Sequence, residues 1–253
     1  MTEPQPPSIP STGPDPVFVL VRPQMAENIG AAARGMLNFG LDRMRLVAPR
    51  DGWPSPKAVA MASGAGRVLD AAGLHDTVAA AVADCHVVYA TTARPREATK
   101  AVLTPEVAMA EARAHAAAGR RGGVLFGAER AGLENGDLTQ ATAIVTVPVN
   151  PAFPSLNLAQ CALLLAYEWR RQGEAAAPSA DAIDLAERHE VDRLAAHWEE
   201  RLDAVGFFFP ETKAEGMKRN LRNLWSRMPL TRADVQTLHG ALRQLVRRRD
   251  DGS

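Results

Sequence analysis

Polar side chains that could act on a substrate follow the apolar segments of this sequence. Asn28 and Arg34 come after the segment VFVLVR, and Glu129 comes after GGVLFG. Ser155 and Asn157 come after AIVTVPV, within the stretch NPAFPSLN. Such groups bind substrates through hydrogen bonds and charge, and they need no metal ion to do so.

Each of these residues also has a simpler structural interpretation. Asn28 and Ser155 are both suitable helix N-caps. Glu129 could be a solvated loop charge or the partner of Arg130, and Arg34 could be an ordinary charge on a helix surface. The residue types alone leave these alternatives open.

The sequence lacks the signatures of several other kinds of active site. It contains no G-x-G-x-x-G after the first apolar segment, no G-x-x-x-x-G-K-S/T and no G-x-S-x-G. The six histidines do not cluster with a serine or cysteine nucleophile, and no Cys/His spacing suggests zinc. We therefore expect neither a common nucleotide loop, nor a hydrolase triad, nor a metal site.

The elements that must position the polar residues alternate between strands and helices. Strands that are apolar throughout, separated by helices, are typical of a parallel sheet covered on both faces. We therefore predict an α/β domain, in which ligands bind beyond the carboxyl ends of the strands. The predicted strands are 17–22, 43–48, 86–92, 122–127 and 143–149, and the predicted helices are 28–40, 58–62, 73–85, 104–119 and 156–167.

Composition divides the chain into four parts. Residues 1–15 form a Pro-rich tail that we expect to be disordered, and residues 16–171 form the α/β domain. Residues 172–182 are rich in Ala, Pro and Ser and are expected to be a linker. Residues 183–250 form a small extension in which apolar spacing predicts three helices.

The C-terminal extension concentrates positive charge, although the whole chain has a formal net charge of zero. Between Lys213 and Arg249, ten basic side chains face two acidic ones, which gives a net charge of +8. This pattern favours an acidic partner, with nucleic acid the first candidate, and a merely solvated helical face is the alternative. The expected contacts include Lys213, Lys218, Arg219 and Arg222.

Length and composition are those of an ordinary globular protein. The chain has 253 residues, of which 46% are hydrophobic, and no apolar run is long enough to cross a membrane. The N-terminus lacks the pattern of a signal peptide. Cys85 and Cys161 lie in separate apolar segments and fit a reducing compartment better than a disulfide, so we expect a cytoplasmic protein.

Taken together, three segments resemble a known family in their order and spacing. NIGAAARG, LFGAERAGL and VPVNPAFPSLNLAQCALLLAYE are similar to the three motifs of SPOUT-class RNA 2′-O-ribose methyltransferases of the TrmH-like group. The segment TTARPR, with Thr92 in place of a serine, resembles the TrmJ subgroup. The C-terminal region that begins at GFFFPETK resembles the helical extension of that subgroup.

The resemblance implies a fold and a cofactor. In this family the third motif is threaded through a preceding loop as a trefoil knot, which composition cannot reveal and which is rare among proteins. The knot forms a pocket for S-adenosyl-L-methionine, and the family is homodimeric, with both chains contributing to each site. Carried over by position, the pocket residues are Thr91, Thr92, Ala93, Gly127, Val147, Ser155, Leu156 and Asn157.

The resemblance also implies an activity, the methylation of a ribose 2′-hydroxyl. In the subgroup the substrate is tRNA, at nucleotide 32 of the anticodon loop. Arg34 takes the central role at the ribose and phosphate, with Asn28, Glu129, Ser155 and Asn157 around it. A ribosomal RNA methyltransferase and a non-catalytic RNA-binding or ribosome-assembly factor of the same fold are the alternatives.

Overall fold

The strands form a single seven-stranded sheet. The computed structural model describes residues 13–92, 100–174 and 184–250, with side chains up to residue 246. The sheet order is β3-β2-β1-β6-β4-β7-β5, and every neighbouring pair is parallel. The strands are β1 (Val17–Val21), β2 (Met44–Val47), β3 (Gly73–His75), β4 (Val87–Thr91), β5 (Val102–Leu103), β6 (Gly122–Phe126) and β7 (Ala143–Val145).

Helices cover both faces of this sheet. β1, β4 and β6 are buried almost throughout because side chains from helices pack against them on both sides. The helices up to residue 171 are α1 (Ala26–Asn38), α2 (Pro56–Ala62), α3 (Gly66–Asp70), α4 (Val78–Ala81), α5 (Pro105–Ala117), α6 (Asn135–Leu138) and α7 (Leu158–Arg171). The predicted α/β architecture with a parallel sheet is confirmed.

Two apolar clusters form the core, one on each face of the sheet. The larger cluster joins the sheet to α1, α5 and α7, and includes Phe18, Met36 and Trp169. The smaller cluster lies against α4 and α6, and includes Val19 and Leu138. Alternate residues of β1 enter opposite clusters, as a strand buried on both faces requires.

The structure corrects part of the predicted secondary structure. Residues 73–85 are not one helix, because Gly73–His75 forms β3 and pairs with β2, which leaves only α4 helical. The two-residue strand β5 is also absent from the prediction. Asn28 does not cap α1, which begins at Ala26 with Met25 as its N-cap.

Residues 184–250 hold three further helices. They are α8 (Arg188–Ala204), α9 (Glu211–Arg227) and α10 (Arg232–Asp250). Val191, Leu194 and Trp225 form their common apolar cluster. The backbone N–H of Arg188 donates to the Cys85 carbonyl at 2.8 Å, which joins α8 to the sheet domain.

Within the described residues, no helix is both long and apolar enough to cross a membrane. The same residues contain no group of three or more His, Cys, Asp or Glu side chains placed to hold a metal ion.

A glycine allows α1 and α2 to pack closely. A Cβ atom added to Gly30 would lie 2.1 Å from the Ala58 carbonyl oxygen and 2.9 Å from the Met61 Cβ. Real atoms do not approach so closely, so any larger residue must push α2 away from α1. Gly216, on α9, has no such neighbour within 4 Å.

We expect Gly30→Ala to lower the free energy of unfolding by about 2 kcal/mol, because it overpacks this contact. The control Gly216→Ala should raise it by about 0.5–1 kcal/mol, since alanine loses less entropy on entering a helix. Urea unfolding followed by circular dichroism measures both changes. Equal effects of the two substitutions would contradict the close packing of α1 on α2.

Candidate active site

A cavity opens at the carboxyl edge of the sheet, where β4, β6 and β7 end. Its volume is about 310 Å³. Most of its lining residues are apolar and a few polar side chains lie among them, which is typical of a ligand site. The lining residues are Thr91, Thr92, 126–132, Val145, Val147, 154–156, Leu158 and Cys161.

The Glu129 carboxylate holds the connection between β1 and α1 in place. Its Oε2 accepts a hydrogen bond from the Gln24 backbone N–H at 2.8 Å. Its Oε1 accepts from the Met25 N–H at 3.2 Å and from Asn28 Nδ2 at 2.7 Å. Glu129 is therefore neither a freely solvated loop charge nor simply the partner of Arg130. Its bonds tie the loop after β6 to the start of α1.

Asn157 extends this network to α7. Its Nδ2 donates to Asn28 Oδ1 at 2.9 Å, so the Asn28 amide is both donor and acceptor. Asn157 Oδ1 accepts from the backbone N–H groups of Ala159 and Gln160 at 2.8 and 3.3 Å, which caps α7. Asn157 thus does two jobs: it caps a helix and it fixes the orientation of Asn28. We call the three side chains Glu129, Asn28 and Asn157 the amide network.

Gly127 is required by the loop after β6 itself. A Cβ atom on Gly127 would lie 2.2 Å from the Gly132 carbonyl carbon and 2.2 Å from the Leu133 nitrogen. Gly132 has φ +68°, a left-handed conformation that favours glycine. The loop therefore folds back on itself. A larger residue at Gly127 would disrupt the loop regardless of any ligand.

Most of the predicted pocket residues lie in the cavity wall. Thr91, Thr92, Gly127, Val147, Ser155 and Leu156 all line it, Asn157 belongs to the amide network, and Ala93 lies outside the described residues. Thr91 Oγ1 donates to the Leu125 carbonyl at 2.9 Å. Thr146 Oγ1 donates to the Thr92 carbonyl at 3.1 Å. These bonds fix the end of β4 against its neighbours. Ser155 is exposed and does not cap α7, since Asn157 fills that position.

Arg34 is not part of the amide network. It lies on α1, six residues beyond Asn28, and its side chain is exposed to solvent. The fold alone does not assign it a structural role. An exposed guanidinium on the helix that begins at the site remains available to a phosphate.

Two residues of the site region were not anticipated from the sequence. Cys161 lines the cavity, and burial raises the pKa of its thiol to about 11, so it stays protonated. Arg22, at the end of β1, pairs with Asp137, whose Oδ2 also accepts from the Glu134 N–H at 2.7 Å. An arginine directly after an apolar strand was the only sequence signal for this contact.

The basic residues predicted to bind RNA are partly paired within the chain. Arg222 donates to both carboxylate oxygens of Glu199, at 2.9 and 2.7 Å. Lys218 lies 3.5 Å from Asp203. Lys213 and Arg219 are exposed on α9. The acidic side chains of α8 therefore neutralise part of the positive charge that the sequence assigns to α9.

Comparison with known proteins decides the family. Residues 15–167 match the model of the SpoU rRNA methylase family, and residues 189–253 match the model of the TrmJ tRNA methyltransferase C-terminal domain. The chain belongs to the SpoU methylase family. All three residues of the amide network lie in the region that matches the SpoU methylase family. Helices α9 and α10 lie in the region that matches the TrmJ C-terminal domain.

Individual relatives of this SpoU methylase point the same way. It is 36% identical over 235 residues to the tRNA (cytidine/uridine/adenosine-2′-O-)-methyltransferase TrmJ of Pseudomonas aeruginosa, covering 88% of this chain and 91% of the relative. The chain is 50% identical to TrmJ from Z. mobilis ZM4, whose crystal structure matches with a TM-score of 0.83 over 91% of this chain and 98% of that chain. The SpoU methyltransferase AviRb from Streptomyces viridochromogenes, in complex with AdoMet, is 20% identical with a TM-score of 0.50. That match covers 66% of this chain and 63% of AviRb, and it shows that the two folds are similar.

Substitutions at Asn157 separate its two jobs in the SpoU methylase site. Asn157→Ser keeps an oxygen that caps α7 but removes the amide that donates to Asn28, whereas Asn157→Ala removes both. We expect Asn157→Ala to be less stable than Asn157→Ser by about 1 kcal/mol in thermal unfolding. Both should lose about tenfold or more in methyltransferase activity, because the Asn28 amide is then held by Glu129 alone. Full activity of Asn157→Ser would reduce Asn157 to a helix cap.

Proposed function

We propose that this protein methylates the 2′-hydroxyl of a ribose in tRNA, at the cytidine or uridine of nucleotide 32 in the anticodon loop. The observation that carries this proposal is the amide network beside the cavity, which brings the three motif segments together. The TrmJ relatives, whose names specify tRNA and a 2′-O-methyl group, support the substrate and the position of transfer.

S-adenosyl-L-methionine fits the residues that line the cavity. Its adenine edge needs hydrogen bonds to polar groups and its flat faces need apolar contact. The doubled-back loop at Gly127 supplies backbone N–H and C=O groups, while Val147 and Leu156 supply apolar surface. When bound, this cofactor would supply an electrophilic methyl group to the ribose oxygen, with S-adenosylhomocysteine as the leaving group and the hydroxyl proton released to solvent.

The remaining roles belong to the side chains of the chain. A guanidinium keeps its proton in proteins, so Arg34 is suited to bind the phosphate and to stabilise negative charge on the ribose oxygen rather than to remove a proton. Asn28 and Asn157 are held in one orientation by Glu129 and α7. Ser155, exposed at the mouth of the cavity, completes the set of polar groups near the ribose.

The trefoil knot and the homodimer belong to the same proposal. β7 inserts between β4 and β5, and the chain then turns back through 154–158 to begin α7 beside the cavity. This path is consistent with the knotted motif of the family. The α7 helix also leaves Leu164 and Tyr167 exposed one turn apart, a surface suited to a second copy of the chain.

The extension after the linker completes the proposed organisation. We infer four parts: the tail 1–15, the methyltransferase domain 16–171, the linker 172–182 and an all-α RNA-docking extension 183–250. Cys85 and Cys161 are free thiols in the structure, which supports a reducing cytoplasm. Arg219 and Lys213 are the exposed cations of α9 that we expect to face phosphate.

The two alternatives have less support. A ribosomal RNA substrate is favoured only by the general name of the family, whereas the match over residues 189–253 is to a tRNA methyltransferase domain. A non-catalytic RNA-binding factor is disfavoured because the relatives are named as methyltransferases and because Asn28, Arg34, Glu129, Ser155 and Asn157 are all present. Mapping ribose methylation in tRNA and ribosomal RNA from cells lacking the protein distinguishes all three.

Cofactor binding has a direct test at Cys161, which lines the cavity without belonging to the amide network. We expect the purified protein to bind one S-adenosylhomocysteine per chain in calorimetry. Cys161→Phe should weaken binding by about tenfold or more, an energy loss of about 1.4 kcal/mol, because the ring fills ligand space. Cys161→Ala keeps that space and should bind normally. Absence of binding by folded wild-type protein would refute the cofactor assignment.

The role of Arg34 is tested by a matched pair of substitutions. Arg34→Ala should reduce tRNA methylation by about a hundredfold, the scale typical of losing a key electrostatic group, with thermal stability and cofactor affinity nearly unchanged. Arg43, which is also exposed, precedes β2 and so lies at the opposite edge of the sheet. Arg43→Ala should methylate normally. Normal turnover by Arg34→Ala would return Arg34 to an ordinary surface charge.

A further inference from the structure

A buried lysine connects the sheet domain to the C-terminal helices. Lys100 is only 6% exposed. Its Nζ donates to the carbonyl oxygens of Leu138 at 2.7 Å and Thr139 at 3.3 Å, and also to that of Ala141. On the other side it donates to Ser226 Oγ at 2.5 Å. The three carbonyl groups belong to the last residue of α6 and to the segment that leads from it to β7, whereas Ser226 belongs to α9.

Ser226 is the matching point on the helical side. It is 1% exposed, and its hydroxyl donates to the Asn223 carbonyl at 3.1 Å, which leaves the oxygen free to accept from Lys100. The Ser226 carbonyl lies 3.5 Å from Arg188 Nη1. Arg188 in turn contacts the sheet domain through its backbone N–H. Lys100 and Arg188 therefore hold the end of α9 from two directions.

Burying such a lysine costs free energy, because its ammonium group loses contact with water. Burial lowers the pKa of Lys100 to about 7, and the charges of Arg188 and Arg227 act in the same direction. The four oxygen acceptors offset this cost. If the ammonium group is removed, those oxygens lose a shared donor in a buried position.

One side of this contact continues to the proposed cofactor cavity, and the other side belongs to the helix proposed to bind RNA. The segment between α6 and β7 continues through β7 to Val145 and Val147 in the cavity wall. The helix that carries Ser226 also carries the exposed cations Lys213 and Arg219. The Lys100–Ser226 contact thus links the chain segment that reaches the cavity to the helix that carries this basic surface.

We propose that Lys100 is a positioning residue, which fixes α9 against the α6–β7 segment so that RNA bound to the C-terminal helices presents its target ribose at the cavity. This inference rests on the proposed tRNA methyltransferase function. Lys100 acts through the placement of α9 and does not touch substrate or cofactor.

Steady-state kinetics of the full-length protein on full-length tRNA tests the proposal. Lys100→Met removes the donor but keeps the length and apolar part of the side chain. We expect kcat/KM for tRNA to fall about tenfold, mainly through a higher KM, while the Kd for S-adenosylhomocysteine stays within about twofold of wild type. Lys57→Met, at an exposed lysine of α2, is the matched control and should match wild type in both.

A second variant and a double-mutant cycle separate positioning from general loss of stability. Ser226→Ala keeps Lys100 and removes the acceptor on α9 together with the hydroxyl's own bond to the Asn223 carbonyl, and it should also raise KM for tRNA. The double variant should be no worse than Lys100→Met alone, since both changes break one contact. If Lys100→Met does not fold, the KM of Ser226→Ala for tRNA alone tests whether the contact positions RNA.

The outcomes that would overturn the proposal are distinct. Wild-type kcat/KM in folded Lys100→Met, or in Ser226→Ala where Lys100→Met does not fold, shows that the contact does not position RNA. A cofactor affinity that falls in step with activity shows that Lys100 acts on the cavity instead. A wild-type protein that binds cofactor but methylates no tRNA contradicts the proposed function itself, independently of Lys100.

Discussion

One carboxylate, that of Glu129, determines the arrangement of the site. It accepts hydrogen bonds from two backbone N–H groups before α1 and from the Asn28 amide. Those bonds fix both the direction in which α1 leaves the sheet and the side of the Asn28 amide that faces Asn157. The cavity, the start of α7 and the orientation of α1 therefore depend on an acceptor held by a loop that folds back at Gly127. Because the same carboxylate fixes all three features, a small number of polar side chains is enough to hold the site together.

Local signals in the sequence predicted the elements whose formation depends mainly on neighbouring residues. Thr104 caps α5 by accepting from the Val107 N–H, Pro105 lies in the first turn and Gly119 follows the helix with φ +74°, in agreement with the helix predicted at 104–119. Apolar segments also identified five of the seven strands and hence the parallel sheet. The strand Gly73–His75 was missed because an Ala-rich stretch follows it, and pairing with β2 outweighs that helical preference.

The site itself was predictable only in part, because its contacts join distant residues. Six of the eight pocket positions assigned by resemblance line the cavity. The cap assigned to Asn28 was wrong, since the partners of its amide are 101 and 129 residues away in the chain. Pairing of Arg222 with Glu199 was likewise invisible, because the charge of α9 was counted without α8. Resemblance supplied the residues, and only the fold supplied their partners.

The same long separations affect the order in which the protein can form during synthesis. β1 has β2 on one side, but its other neighbour is β6, about a hundred residues later in the chain. The partner of the Asn28 amide oxygen, Asn157, is synthesised still later. A nascent chain that has emerged only as far as β4 thus carries a half-paired sheet with one edge of β1 exposed, a state prone to association. The ribosome must deliver nearly two thirds of the protein before the site has all its parts.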